Sequence, residues 1–430
     1  MLDLRFIREN PIAAKKDLEK RGEYDKIQWI DEIIEYDKRR RDIIQELNRL
    51  RHMRNLLTDE IAKLKREGLD VSEKLAEANK IPDEIKALEK SLQDYEGRLE
   101  YRLSRLPNIT HETVPPGRDE SDNVVVRVWG EKPQFSFEPR DHIDLGLKLD
   151  LIDVERAAKV SGARFAYLKH EAALLEFAIV RYALEKVVKD GFIPVIPPVL
   201  VKKEAMYGAG FLPLGEDDIY WIMGEDLCLA GTAEVPLAAM HMGEVLDEER
   251  LPLYYAGFST CFRTEAGAHG RDTKGIFRVH QFDKLELFKF TTPETSWEEH
   301  EKLIATVEKI YRGLNLHYRI VNICSGELGA SAAKKYDLEV WLPGQGKYRE
   351  VVSCSNCTDY QARRLNIRCR KGLREKPRFV HTLNSTAVAV GRLLVAIFEN
   401  YQCEDGSIRV PDALTQYLGF KEITMDKSYF

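Results

Sequence analysis

An α+β fold is expected, with an antiparallel sheet in the larger C-terminal part preceded by an antiparallel α-helical coiled-coil hairpin. Three observations predict it. A heptad seam runs through residues 29–106, β-rich stretches after residue 123 are joined mostly by turns, and helical segments fall between groups of those stretches. The 430 residues are 32% charged and 44% hydrophobic, which is ordinary for a folded chain of two or three domains. A net charge of −6 excludes a protein that is basic all over, so any nucleic-acid contact must come from a local patch. No apolar run approaches the roughly 18 residues of a membrane span. The opening MLDLRFIREN reads neither as a secretory signal nor as a transit peptide. Seven cysteines, an odd number without an export signal, point to a reducing, cytoplasmic location.

The first seam consists of Trp29, Ile33, Tyr36, Ile43, Leu47, Leu50, Leu57, Ile61 and Leu64, and only Arg40 and Arg54 break it. EGLDVS at 67–72 interrupts the pattern. A second seam follows through Ile81, Ile85, Leu88, Leu92, Tyr95, Leu99 and Leu106, broken at Arg102, with Pro82 near its start. Two such seams joined by a short turn predict one hairpin, each helix roughly 50 Å long. This reads as a projecting arm, and it divides the chain into residues 1–110 and 111–430. Between Lys38 and Arg66 ten bases face four acids, whereas Asp83 to Glu100 holds three bases and six acids. These charges either pair across the hairpin or form a basic face for a phosphate backbone. No aromatics interleave with the bases, so a duplex held by its backbone fits better than stacked single strands.

Residues 114–123 (VPPGRDESDN) read as a linker. VVVRVW at 124–129 is a predicted strand and Glu171 to Lys189 a helix. FIPVIPPVLV at 192–201 is extended, and its prolines place it at an edge or interface. Residues 253–263 and 279–290 are β-rich, with the polar loop TEAGAHGRDTKGIFR between them. Residues 292–314 start with a good cap and form a helix. YDLEVWLPG and KYREVVSCS are strands, and Thr386 to Tyr401 is a closing helix.

Four clusters carry possible chemistry. Arg263 and Arg278 flank the polar loop and could meet there, and arginine binds phosphate oxygens in bidentate fashion. Phe282 offers a face to a flat ring, and Glu286, an even number of residues on, shares its strand face. The bland alternative is a hairpin with surface arginines. Glu350-Val351-Val352-Ser353 combines a carboxylate and a hydroxyl that could hold Mg²⁺ with phosphate, or is simply a charged edge strand. Thr382 to Thr386 is either a helix cap or a polar pocket floor near Arg392. Gly231-Thr232-Ala233-Glu234 is a polar turn. Cys354 and Cys357, with Cys369 nearby, lack a second pair for zinc and read as packing thiols. His269 and His280 read as structural or loop polar groups.

Together these segments resemble the seryl-tRNA synthetase family of class II. The resemblance covers essentially the whole chain: MLDLRFIRENP, the hairpin, GTAEVPL, CFRTEAGAHGRDTKGIFRVHQFDKLE, YREVVSCSNCTDYQARR and TLNSTAVAVGRLL. It implies a class II catalytic domain with ATP as substrate and Mg²⁺ alongside it. L-serine and tRNA(Ser), with the selenocysteine tRNA as a further substrate, are the implied partners, together with a homodimer through the segment holding Pro198. No membrane partner is implied. By this resemblance Arg263 contacts the α-phosphate and the serine carboxylate. Thr264, Glu265, Arg278, Val279, Phe282, Val351, Val352 and Arg392 join it in holding ATP, with Phe282 and Arg392 sandwiching the adenine. Glu350 and Ser353 hold magnesium and phosphate. Thr232, Ala233, Glu234, Glu286, Asn384 and Thr386 surround the serine. Val352 stands where the family often has Ser, so only its backbone could serve there. Arg263, Glu350 and Arg392 are the implied catalytic set. Two rival readings are a relative that loads a carrier protein, which would lack the arm, and a coiled-coil scaffold with a dead domain, which would lack the arginine–glutamate set.

Overall fold

The computed structural model describes residues 1–267 and 274–427. Residues 268–273 of the polar loop, His269 among them, lie outside the described residues. The chain divides into two units, Leu2–Leu106 and Pro107–Phe430, the latter taken with Met1.

In the first unit, two short helices, α1 (Leu4–Glu9) and α2 (Pro11–Lys20), precede the long α3 (Ile27–Arg66) and α4 (Ser72–Leu103). The 40 residues of α3 contain neither Gly nor Pro, so nothing interrupts it. It stops where Gly68 adopts φ +69°, a left-handed turn that glycine takes without a Cβ penalty. Leu47, Leu50 and Leu57 pack on Ile81 and Ile85, as the heptads require. Two of the three breaks in the pattern have partners of their own. Arg40 joins Arg8 and Arg41 around Asp37, which is only 1% exposed. Arg102 pairs with Glu32, and its guanidinium lies 5.0 Å from the Tyr36 ring. Pro82 lies inside α4 rather than near its start, because the helix begins at Ser72, well before the second seam does at Ile81. Its buried neighbours Ile81 and Ile85 hold the helix through it by packing.

In the second unit, eight strands form one sheet. They are β1 (Val124–Trp129), β2 (Ile193–Val195), β3 (Leu253–Phe262), β4 (Gln281–Thr291), β5 (Tyr318–Asn322), β6 (Lys334–Leu342), β7 (Lys347–Asn356) and β8 (His381–Ala389). Their order is β1-β5-β6-β7-β8-β4-β3-β2, antiparallel throughout except where β2 runs parallel to β3. The proline-bearing β2 is therefore an edge strand. Helices α5 (Glu171–Lys189), α6 (Ser296–Gly313) and α7 (Val390–Asn400) bury one face, with Leu285, Leu287, Leu303, Val307, Leu393 and Ile397 in a common core.

Three expectations need correction. Residues 114–123 are no free linker. Val114 is buried on Val321 and Ile323, and a Cβ on Gly117 would lie 2.7 Å from that of Cys324. Pro-Pro-Gly breaks regular structure without releasing the chain. Thr386 to Ala389 belongs to β8, since pairing with β4 holds it extended, and the helix begins only at Val390. Finally, Thr295 does not cap α6 through its side chain; its hydroxyl bonds Thr292 instead. Cys354, Cys357 and Cys369 are buried, and burial pushes the Cys357 thiol up to about 12.

Candidate active site

Alternate residues of a strand share a face. On β4, Leu285 and Leu287 turn to the helices, while Phe282, Lys284 and Glu286 line a cavity of about 310 Å³. The neighbouring strands reach it through irregularities. On β7, Val352 pairs with Leu338 and Glu350 with Glu339, which leaves Val351 as an extra residue. Such a bulge re-aims side chains. It lets Glu350 and Ser353, which a regular strand would put on opposite faces, line the cavity together. On β8, Ala387 is the extra residue between Thr386, opposite Glu286, and Val388, opposite Leu285. Asn384 and Thr386 complete the floor.

The arginines are held individually. Arg263 Nε donates to the Gly231 carbonyl at 3.0 Å, and its guanidinium lies 5.6 Å from the Phe282 ring. Its backbone exchanges hydrogen bonds with His280, each 2.9 Å, which gives that histidine a structural task. Arg392, in the first turn of α7, pairs with Glu350 Oε1 at 3.2 Å and donates to the Glu350 carbonyl at 3.0 Å. Its guanidinium lies 5.0 Å from the Phe277 ring. Arg278 pairs with Glu265 at 2.6 Å. Glu265 has φ +53°, a strained conformation for a residue with a side chain, of the kind that concentrates at functional sites.

The carboxylates divide into two groups. At one end, partial burial works against the charge of Glu350, yet Arg392, Lys335 and Arg263 together hold it below its ordinary value. Behind it, burial pushes Asp337 up to about 7, opposed by Lys335. At the other end, burial and the nearby Glu286 push Glu234 up to about 7. Glu234 Oε1 accepts from Gln361 Nε2 at 2.8 Å and Asn384 Nδ2 at 3.0 Å. Glu286 pairs with Lys284 at 2.5 Å.

Thirteen of the residues singled out from the sequence line this cavity: Glu234, Arg263, Glu265, Arg278, Val279, Phe282, Glu286, Glu350, Val351, Ser353, Asn384, Thr386 and Arg392. Four do not. Val352 is fully buried in the core, and Ala233 is fully buried behind the site. Thr232 is buried, and its hydroxyl bonds Glu286 Oε2 at 3.4 Å. The Thr264 hydroxyl donates to the Asp217 carbonyl at 2.5 Å, away from the cavity. Sequence reasoning missed Lys284, Phe277 and Gln361. Lys284 was accessible to the same even spacing that found Glu286. Phe277 and Gln361 carried no such signal.

Comparison with known proteins agrees with this geometry. The profile for the seryl-tRNA synthetase N-terminal domain matches residues 1–110, and that for the tRNA synthetase class II core domain (G, H, P, S and T) matches residues 220–401. A serine–tRNA ligase of Thermococcus onnurineus is 52% identical over 98% of this chain and 97% of its own. Among solved structures, the Pyrococcus horikoshii seryl-tRNA synthetase complexed with ATP is 50% identical, with a TM-score of 0.94 over 99% of both chains. The Naegleria fowleri cytoplasmic serine–tRNA ligase with AMP is 35% identical, with a TM-score of 0.87 over 99% of both. With relatives this similar along nearly its whole length, the chain belongs to the seryl-tRNA synthetase family, ligases built on the class II core.

Proposed function

We propose that this chain activates L-serine with ATP to give seryl-adenylate and pyrophosphate, then transfers the seryl group to the 3′ end of tRNA(Ser). One observation carries the reading. Three arginines, Arg263, Arg278 and Arg392, border the same cavity as a polar end built from Glu234, Glu286, Asn384 and Thr386. Guanidinium groups suit a triphosphate, and paired carboxylates suit an amino acid's ammonium and hydroxyl.

The chemistry follows from charge. The serine carboxylate attacks the α-phosphate in line, and both reactants are anions. Alignment and neutralisation are therefore the main tasks. Arg263 is placed to neutralise both, while Arg278 and Arg392 draw the outer phosphates away from the attacking group. No step needs a proton-transfer residue on the protein. Glu350 and Ser353 offer oxygen donors, which fits Mg²⁺ arriving with ATP, a hard cation that keeps phosphate and water ligands. Among the described residues no group of three metal-binding side chains is present to hold an ion alone. When bound, the ion would offset phosphate charge. In the second step a terminal ribose hydroxyl of the tRNA attacks the adenylate carbonyl, the acyl–phosphate bond breaks, and AMP leaves with its phosphate oxygen taking up the hydroxyl proton.

The arm is the tRNA-binding element in this reading. Lys38, Arg39, Arg54, Lys63 and Lys65 of α3 present cations for a duplex backbone, gripped by shape and charge without reading an anticodon. A homodimer would form through the segment around Pro198, where Ile193 and Ile196 are 51% and 88% exposed. No helix among the described residues is long and apolar enough to cross a membrane. All seven cysteines are unpaired, which suits the cytoplasm. ATP–pyrophosphate exchange with each of the twenty amino acids, followed by charging of tRNA(Ser) and of a selenocysteine tRNA, tests the proposal. Serine should be the one strong substrate, and exchange with another amino acid instead would overturn it.

A further inference from the structure

Lys284 stands at the serine end of the cavity with no role yet given to it. It is 7% exposed, and its Nζ meets Glu286 Oε2 at 2.5 Å. The Thr232 hydroxyl approaches the same oxygen at 3.4 Å. Oε2 is therefore engaged, and among the described residues none bonds Oε1 of Glu286. The second carboxylate on the cavity is held differently. Among the described residues Glu234 accepts hydrogen bonds from the neutral amides of Gln361 and Asn384, both at Oε1, and no cation contacts it, the charges of Lys284 and Arg263 acting on it only from further off.

That asymmetry has a consequence. A buried carboxylate without a cationic partner gains most from an arriving ammonium. One already ion-paired gains less from a second cation, and serves better as acceptor for a neutral hydroxyl. Resting on the reading of this cavity as a serine site, we propose that Lys284 is a positioning residue that assigns roles to the two carboxylates. It fixes Glu286 to receive the ligand's hydroxyl and leaves Glu234 to receive the ligand's ammonium. Alanine would then leave Glu286 Oε1 buried and unpaired, so discrimination against it depends on Lys284 holding that oxygen in place.

The test compares Lys284→Met and Lys284→Arg in the full chain, measuring exchange with serine and with alanine. Lys284→Met should lower the serine-to-alanine ratio of kcat/KM by about tenfold or more, the scale of one hydrogen bond to a charged group. KM for ATP should not change, and Lys284→Arg should recover part of the ratio. Glu234→Gln should raise KM for both amino acids alike and keep the ratio. An unchanged ratio in Lys284→Met, with serine and alanine losing in proportion, overturns the inference. If Lys284→Met folds poorly, the double variant Lys284→Met/Glu286→Gln decides. Discrimination no worse than in Glu286→Gln alone supports action through Glu286, and further loss refutes it. Absence of serine-dependent exchange in the unaltered chain would sink the reading of the enzyme instead, and the two failures are thus separable.

Discussion

The arm and the body use the same ion pairs under opposite conditions. In the arm, Arg51 of α3 meets Glu89 of α4 at 2.9 Å, with the two side chains 49% and 51% exposed. In the body, Lys284 meets Glu286 at 2.5 Å, with the side chains 8% and 2% exposed. Water and salt screen the first pair, whereas the second sits where each charge depends on its partner. The arm is held by an apolar seam and can vary its surface charge for a ligand. The body cannot move a charge without disturbing its site.

The sharpest way to break this comparison is to separate the two units. Removal of residues 2–106 should abolish tRNA charging while serine-dependent pyrophosphate exchange stays close to that of the whole chain. The cut spares Asn108, whose Nδ2 donates to the Ser331 and Cys357 carbonyls at 2.9 and 2.8 Å within the body. Equal loss of both activities would refute the division of labour. Next in size, Arg263→Ala should slow exchange by about 10²- to 10³-fold, the usual loss when a charge contact made in the transition state is removed. Near-normal exchange would take Arg263 out of the chemistry.

A smaller effect concerns Glu234 and pH. Its folded value of about 7 lies above the ordinary 4.5 because of burial, with Glu286 adding to it. Between those values the folded chain binds more protons than the unfolded chain, so stability from this group falls as pH rises and stays lost above about pH 7. Glu234→Gln keeps an oxygen for Gln361 and Asn384 but removes the titration. Urea unfolding should therefore show the variant gaining on the original chain from about pH 5 to about pH 8, by up to about 3 kcal/mol. A difference that stays flat over that range would mean Glu234 does not carry the shift.

How legible each unit was follows from the same contrast. The seam could be read from Leu47 to Leu99 because helix packing repeats every few residues, and two of its exceptions, Arg40 and Arg102, belong to local clusters. Most of the cavity's residues could be identified from their motifs, but not the way they meet. The bulges at Val351 and Ala387 place Glu350 with Ser353 and set Thr386 opposite Glu286, and no local pattern announces an extra residue in a strand. Thr386 to Ala389 read as helix because small residues ran straight into α7, while the pairing that keeps them extended comes from β4, a hundred residues earlier. Val352 fell among the site candidates through the family resemblance, and the bulge turns it into the core. Gln361 was invisible for a similar reason, since this buried amide reaches the cavity by way of Glu234, on a distant segment.

The smallest predicted effect puts the screened side of the comparison to the test. A double-mutant cycle on Arg51→Ala and Glu89→Ala, followed by urea unfolding of the helical signal, should give a coupling of about 0.5 kcal/mol or less, which is usual for exposed pairs. The coupling should shrink further in high salt, because charges this open are screened within roughly 10 Å. Leu50→Ala in the same helix, which opens a hole in the seam, should cost about 2–3 kcal/mol and be insensitive to salt. The order of these two results is the essential point. If the ion pair proved the stronger of the two, the arm would be held together by its charges, and α3 would not be free to offer its bases to a nucleic acid.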